Sequence, residues 1–384
     1  ALVSNGHFLL RRAVGKLREL EDVLERQPVG DSHQGIGHTR WATHGRPTEE
    51  NAHPHRDPRD RVVLVHNGII ENYLELKAEL EQEGNRFRSE TDTEVIAHLI
   101  AREIDRGLAL EQAVHNTLGR LEGIYAFCAM TTADPDKIVG ARQGPPLVAG
   151  VGDGENFLAS DLTALLEHTR DVVFLEDHEM VVITPRKVTL YGRGGTQRDL
   201  KVKRIAWDPI LAEKGGYRHF MLKEIHEQPR AVNDTLAGRI SLDRGAVDFS
   251  AEEFPLSDPD LRHVSRIYLA SCGTSWHASL VGKFLIERLA RVPTEVDYAS
   301  EFRYRDPLVD DRTLIVIVTQ SGETADTLAG LREAKSRGAR SIAVCNVMGS
   351  TATRETEGTI LTHCGPEIGV ASTKAFTAQL VAMH

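Results

Sequence analysis

No apolar run in the sequence is long enough to cross a bilayer. The longest, such as Leu314 to Val318, fall far short of the ~20 residues a spanning helix needs. The opening residues Ala-Leu-Val-Ser-Asn-Gly contain no basic stretch followed by an apolar one, so no signal peptide is expected. Cysteine is scarce: Cys128, Cys272, Cys345 and Cys364 are widely separated, sit in apolar strand-like runs and form no Cys-x-x-Cys pair. That pattern argues against a disulfide framework and a thiolate zinc site, and for buried thiols in a reducing compartment. An excess of basic charge is also missing, since 46 Lys and Arg face 56 Asp and Glu for a net charge of −10. Such a chain has no overall field to attract nucleic acid or an anionic membrane, and neither is expected as a partner. Any phosphate must be held by local backbone donors and a few placed side chains. The cytoplasm is the expected compartment.

What is present suits a folded, two-domain protein: 384 residues, 41% hydrophobic and 27% charged, can bury sizeable cores. In the first 206 residues, strand-like runs recur at Arg61–Ile70, Gly123–Met130, Lys137–Ala141, Leu147–Val151, Val172–Thr184 and Val188–Tyr191. Glu94–Ile104 has helical spacing, and Asp161–His168 reads as a short helix. Many strands with few helices predict layered sheets. Residues 207–216, from Trp207-Asp208-Pro209 to Gly215-Gly216, have linker character. Residues 217–384 open with a helical stretch through Met221, Ile225 and Val232, then alternate strand and helix. Strands are expected at Arg266–Ala270, Thr294–Ala299, Thr313–Thr319, Ser341–Cys345 and Thr359–His363, and helices at Trp276–Ala290, Thr324–Arg337 and Thr351–Glu357. Five apolar strands separated by helices predict a doubly wound parallel sheet that binds ligands beyond the carboxyl ends of its strands. The sequence stops in mid-pattern at Ala375 to His384, which reads as an excised piece of a longer chain.

Two constellations carry chemistry. The first is Gly37-His38-Thr39-Arg40-Trp41-Ala42-Thr43-His44-Gly45, then Asn51-Ala52-His53-Pro54-His55, His66-Asn67-Gly68 and Ser89-Glu90-Thr91-Asp92-Thr93-Glu94. An amino-acid substrate needs a cation for its carboxylate and an anion for its ammonium, and Arg40 and Asp92 offer these. Amide cleavage also needs donors aimed at a developing oxyanion. Asn67 can supply a side-chain NH2 and Gly68 an unobstructed backbone N–H, although Asn-Gly after a strand is more often a plain turn. His53 and His55 lack the carboxylates of a metal site and are expected as exposed polar residues. The second constellation is a pair of strand-to-helix junctions, Ser271-Cys272-Gly273-Thr274-Ser275 before Trp276 and Thr319-Gln320-Ser321-Gly322-Glu323-Thr324 before Ala325. Each brings hydroxyls, a glycine and free N–H groups to a helix N-terminus, which suits an anion. Plain N-capping is the competing explanation, and two such junctions in one sheet favour phosphate. Ser321 is not a nucleophile elbow, because Thr319 stands where the first glycine would be.

Together these segments resemble known proteins. Thr39 to Gly45, His66-Asn67-Gly68-Ile69-Ile70-Glu71-Asn72 and Ser89 to Glu94 are similar to the glutaminase domain of class II, N-terminal-nucleophile amidotransferases. Tyr217 to Ile225, Glu227-Gln228-Pro229, Ser300 to Arg305, Gln320 to Thr327 and Glu367 to Phe376 resemble the first sugar-isomerase (SIS) subdomain of the glutamine-dependent sugar-phosphate aminotransferases. The resemblance runs from end to end. It implies an α+β layered glutaminase domain followed by a doubly wound α/β SIS domain, and a reaction converting fructose 6-phosphate to glucosamine 6-phosphate with nitrogen from glutamine. It further implies no cofactor, no metal and a homodimer. Arg40, Trp41, Thr43, His44 and Asp92 would surround glutamine, with Asn67 and Gly68 as the oxyanion hole. Thr274, Ser275, Gln320, Ser321 and Thr324, with Thr319 in a weaker place, would hold the phosphate, and Val370 and Ser372 would line the sugar. The family's nucleophile is an N-terminal cysteine, whereas residue 1 is alanine and Cys128 lies in a predicted buried strand. A second subdomain carrying the isomerisation residues is expected after His384, so the 384 residues are expected to bind ligands without turning them over. Two rivals stay open: another class II amidotransferase, against which the parallel-sheet half speaks, and a non-catalytic sugar-phosphate-binding regulator, against which the glutaminase half speaks.

Overall fold

The computed structural model describes residues 1–4, 6–40, 46–205 and 214–384. The chain divides into two compact units, Ala1–Ile205 and Ala206–His384. Residues 207–213 of the predicted linker lie outside the described residues.

The first unit opens with a hairpin of β1 (Leu2–Ser4) and β2 (His7–Leu9), then α1 (Leu17–Arg26). There follow β3 (His55–Arg56), β4 (Val62–Ile70), α2 (Tyr73–Gln82), α3 (Glu94–Asp105), α4 (Leu110–Leu118), β5 (Gly123–Thr131) and β6 (Asp134–Gln143). Among the described residues, seven further strands follow: β7 (Val148–Val151), β8 (Asn156–Ala159), β9 (Asp171–Phe174), β10 (Glu179–Thr184), β11 (Lys187–Tyr191), β12 (Gln197–Arg198) and β13 (Lys203–Arg204). A seven-stranded antiparallel sheet runs β12-β11-β10-β6-β5-β4-β3, and a four-stranded one β13-β9-β7-β8. The pleat sorts side chains between two cores, because successive residues of a strand face opposite sides. Val62 and Leu64 of β4, with Phe127 and Ala129 of β5, pack against Leu76, Leu80, Val95, Leu99 and Val114 of the helices. Val65, Ala126 and Cys128 point the other way, onto Leu147, Ala149 and Val173 of the smaller sheet. Helices, large sheet and small sheet are therefore stacked layers, as the strand-rich pattern predicts.

Several boundaries differ from the sequence reading. Val172–Thr184 is two strands in different sheets, parted at Glu176-Asp177-His178, where His178 adopts a positive φ of 66°. Asp161–His168 holds only a short 3-10 turn, Leu162–Ala164, with the Asp161 carboxylate accepting from the Thr163 amide at 2.7 Å. The helices α1, α2 and α4 escaped the sequence reading. In α2 only Leu76 and Leu80 are buried, too thin an apolar stripe to stand out among its charges.

The second unit begins with α5 (Phe220–Leu236), a hairpin of β14 (Ile240–Ser241) and β15 (Ala246–Val247), and α6 (Asp258–His263). Then strand and helix alternate: β16 (Arg266–Ser271), α7 (Gly273–Leu289), β17 (Thr294–Tyr298), α8 (Ala299–Phe302), β18 (Thr313–Thr319), α9 (Ala325–Ser336), β19 (Arg340–Cys345), α10 (Thr351–Glu355), β20 (Gly358–Leu361) and α11 (Lys374–Met383). The five strands form a wholly parallel sheet in the order β17-β16-β18-β19-β20. One face packs Tyr268, Ile315 and Ile317 on Phe302, Leu328 and Leu331. The other packs Leu269, Val318, Ile342 and Val344 with Ile286 and Met383. Burial on both faces explains why these strands read as unbroken apolar runs. The chain winds from β16 outward to β17, then crosses back to β18 on the other side of β16. The strand order therefore reverses between β16 and β18. Among the described residues, no helix is long and apolar enough to cross a membrane.

Candidate functional site

In the first unit, Asn67-Gly68 is not a turn. Strand β4 continues through both residues to Ile70, with Asn67 opposite Ala126 and Gly68 opposite Tyr125 of β5. Gly68 has φ 129°, and a Cβ there would stand 2.1 Å from the Ile124 carbonyl oxygen. Only glycine satisfies both the left-handed backbone and the close approach. Asn67 is held from the side by His38, whose Nε2 lies 2.6 Å from Asn67 Oδ1. A carboxamide oxygen only accepts, so the imidazole donates, and the Asn67 NH2 is left to donate elsewhere. Burial lowers the His38 imidazole from its usual range, which keeps it neutral with one proton to place.

The segment Ser89 to Glu94 closes around the same strand. Asp92, 3% exposed, accepts from the Ile70 amide at 2.8 Å through Oδ2. Thr93 Oγ1 lies 2.9 Å from His66 Nδ1, and Thr91 Oγ1 3.2 Å from His55 Nε2. The Asn51 side chain meets Glu90 twice, at 3.0 Å to its carboxylate and 2.9 Å from its amide. Arg40 is half-buried and donates from Nη1 to the Arg46 carbonyl at 3.2 Å. Trp41, Thr43 and His44 lie outside the described residues.

The histidines depart from expectation. His55 is buried at 2% exposure and His53 is half-buried, and neither is a surface residue. Their rings meet in series with His38, tilted at 38° with centroids 4.2 Å apart for His38 and His53, and edge-to-face at 4.7 Å for His53 and His55. Burial pushes His55 down to about 3 and His66 to about 4, and lowers His53 as well. The layer is therefore neutral. Among the described residues no group of three or more His, Cys, Asp or Glu is arranged to hold a metal. His38, His66 and Asn67 line a cavity of about 440 Å³ together with Leu147, Phe157 and His168. Cys128 lines it too, but burial pushes its thiol up to about 12, so it is protonated at neutral pH and a poor nucleophile. No role was expected of His38 from its place in the Gly37–Gly45 segment. Its signal is tertiary, since residues 38 and 67 meet only through the fold.

In the second unit, both hydroxyl-rich junctions lie at the carboxyl ends of β16 and β18, the adjacent strands between which the order reverses. Open parallel sheets bind ligands at such switch points. The helix α7 starts at Gly273, three residues earlier than the pattern suggested, so Thr274 and Ser275 stand in its first turn. Neither Cys272 ahead of α7 nor Thr324 ahead of α9 makes a side-chain capping bond. Side-chain capping therefore accounts for neither Cys272 nor Thr324. Thr319 accepts from the Gly322 amide at 3.1 Å, and Ser321 from the Glu323 amide at 3.2 Å, which shapes a tight loop with Gly322 at φ 69°. Gly322 has no room for a side chain, because a Cβ would stand 2.0 Å from Ser350 Oγ. Gln320 and Ser321 are half-buried and Thr324 is exposed. Ser275 is buried and receives a hydrogen bond from Gln379 at 3.0 Å. Val370 is wholly exposed, and Ser372 donates to Glu367 at 2.8 Å. Hydroxyls, free helix-end N–H groups and the positive ends of two helix dipoles converge where a phosphate would be favoured.

A glutamine amidotransferase domain model matches residues 38–167, and a SIS domain model matches residues 260–384. The glutamine–fructose-6-phosphate aminotransferase (isomerizing) of Symbiobacterium thermophilum is 54% identical over 383 residues, covering 100% of this chain and 62% of its own length. That of Aquifex aeolicus is 50% identical over 384 residues, with the same coverage of 100% and 62%. The C-terminal domain of glucosamine-fructose-6-phosphate aminotransferase from Francisella tularensis, a solved structure, is 45% identical over 44% of this chain and 47% of its own, at TM-score 0.41. The chain thus spans 62% of the length of these first two relatives. An amidotransferase domain followed by a SIS domain, at about half identity to them from end to end, makes this chain a member of the glutamine–fructose-6-phosphate aminotransferase (isomerizing) family.

Proposed function

We propose that the protein carrying this chain moves the amide nitrogen of glutamine onto fructose 6-phosphate, giving glucosamine 6-phosphate and glutamate. The observation that carries the reading is the meeting of two hydroxyl-rich helix N-termini at the switch point of a parallel sheet. Thr274, Ser275, Gln320, Ser321 and Thr324 hold the phosphate there, with Thr319 shaping their loop, and Val370 and Ser372 flank the sugar. In the other unit, Asn67 and Gly68 polarise the glutamine carbonyl, Arg40 takes its carboxylate and Asp92 its ammonium, and Trp41, Thr43 and His44 complete the surround. Residues 1–206 form the glutaminase part and 217–384 the first SIS part. The reaction needs no redox cofactor or metal, the working protein is a homodimer, and its substrates place it in the cytoplasm.

Calorimetry of the 384-residue chain tests the phosphate site. Fructose 6-phosphate should bind in competition with inorganic phosphate. A folded chain that binds neither would remove the switch-point assignment.

A further inference from the structure

The segment after β20 runs from Thr362 to Thr373 before α11 begins, and two buried or half-buried carboxylates shape its second half. Glu224 of α5 is 2% exposed. Its Oε1 accepts from the Ile368 amide at 2.6 Å and the Gly369 amide at 3.0 Å, and its Oε2 from the Gly369 amide at 3.2 Å. The fit is close: a Cβ on Gly369 would stand 2.5 Å from Glu224 Oε2. Glu367 works from the other side, accepting from the Thr373 amide at 2.8 Å, the Ala375 amide at 3.2 Å and the Ser372 hydroxyl at 2.8 Å. Between these two anchors the chain rises to Val370, whose side chain is wholly exposed. A valine held at the top of a pinned loop makes no use of its apolar surface within the chain.

The loop's position gives that surface a use. Gln379 of α11 meets Ser275 of α7 at 3.0 Å, and Met383 lies against Gly282. Contacts that advance together along both helices mean that α7 and α11 run in the same direction. The residues ahead of α11 therefore emerge at the same end as the N-terminus of α7, where the hydroxyls of the switch point gather. Two more bonds tie the segment to that edge: Asn346, just past β19, donates to the Gly365 carbonyl at 2.8 Å, and its own amide reaches the Gln320 carbonyl at 3.3 Å.

We propose that Glu224 is a positioning residue for the sugar portion of the ligand. It fixes the Ile368–Gly369 peptides so that Val370 to Ser372 stand over the sugar carbons while the phosphate sits on the α7 and α9 junctions. It touches no ligand. This rests on the sugar-phosphate reading of the switch point. The rival explanation is that Glu224 merely helps to dock α5 on α11, a seam already supplied by Glu227 with Lys374 at 2.6 Å and by Gln228 with Thr377 at 2.6 Å. Those neighbours give a docking role to other residues and leave Glu224 facing loop backbone alone.

The test is calorimetry on the full chain with two probes, fructose 6-phosphate and inorganic phosphate. Glu224→Ala frees the loop and should weaken fructose 6-phosphate about tenfold, the scale of one charged hydrogen bond. Inorganic phosphate should bind as in the wild type, since it does not reach the loop. Glu224→Gln keeps one acceptor oxygen and should fall between the two. Should the alanine variant not fold, the ratio of the two affinities in the glutamine variant decides. An unchanged ratio in a folded variant overturns the proposal, as does a parallel loss of both probes, the signature of general loosening. A wild-type chain that binds phosphate but no more tightly fructose 6-phosphate overturns it too. A wild-type chain that binds neither probe instead removes the switch-point reading beneath it, and the proposal with it.

Discussion

Glu94 should be the acid-sensitive fastening of the first unit. It is 2% exposed at the start of α3. Its Oε2 accepts from the Ser89 amide at 2.7 Å and the Ser89 hydroxyl at 2.6 Å, its Oε1 from the Arg88 amide at 2.9 Å, and His98 Nε2 stands 3.5 Å away. Burial alone would raise the carboxyl, but His98, the Ser89 hydroxyl and the two amides outweigh it and hold it at about 2, against an ordinary 4.5. A folded value below the unfolded one means that stability is present above 4.5 and is lost as pH falls towards 2. The difference amounts to about 3 kcal/mol at neutral pH, of which about 2 kcal/mol is gone by pH 3. Glu94→Gln removes the charge and turns one acceptor oxygen into an NH2 that faces donors. It should therefore cost about 3 kcal/mol at pH 7 and progressively less in acid. Hydrogen exchange of α3 amides, corrected for intrinsic rates at each pH, reports this unit separately from the other. The buried histidines destabilise both variants below their unfolded value of 6.5, so the difference between variants isolates Glu94. An equal cost at pH 7 and pH 3 would refute the reasoning, because it would show that the wild-type carboxyl gains nothing from ionisation.

Gly68→Ala forces a side chain into the Ile124 carbonyl at a φ of 129°, and should destabilise the first unit by about 3 kcal/mol or more; unfolding by urea at wild-type concentrations would mean that the strand pair yields easily. Thr324→Val leaves α9 without a loss of capping, since Thr324 makes no side-chain cap. Its melting curve should match the wild type while fructose 6-phosphate affinity, read by calorimetry, drops about tenfold; a variant with unchanged affinity would take Thr324 out of the phosphate site.

The parallel sheet was legible because burial on both faces writes its strands as unbroken apolar runs bounded by turn residues, and Leu314 to Val318 is the plainest of them. The helix α3 was legible from its period, with Val95, Ile96, Leu99 and Ile100 on one face, although every residue from Glu94 to Ala101 is buried. The first unit was harder. A run such as Val172–Thr184 keeps its apolar character across a change of sheet, so composition alone could not locate the break at His178. The thin stripe of α2 gave no periodic signal.

The sequence by itself determined which residue types were available for chemistry and where they fell against strand ends: Asn67-Gly68 on one apolar run, and hydroxyls after two others. Those are local properties, set by side-chain identity and by the period of burial. Only the tertiary structure decided what Asn67-Gly68 became. That dipeptide favours a turn locally, and the Ile124 carbonyl beside Gly68 together with the His38 ring beside Asn67 selects the strand instead. It likewise decided that the histidines at 53 and 55 are internal and neutral, and that the two hydroxyl-rich loops are neighbours. Strand order depends on how distant segments pack, and no local pattern in a chain records which strand ends lie side by side.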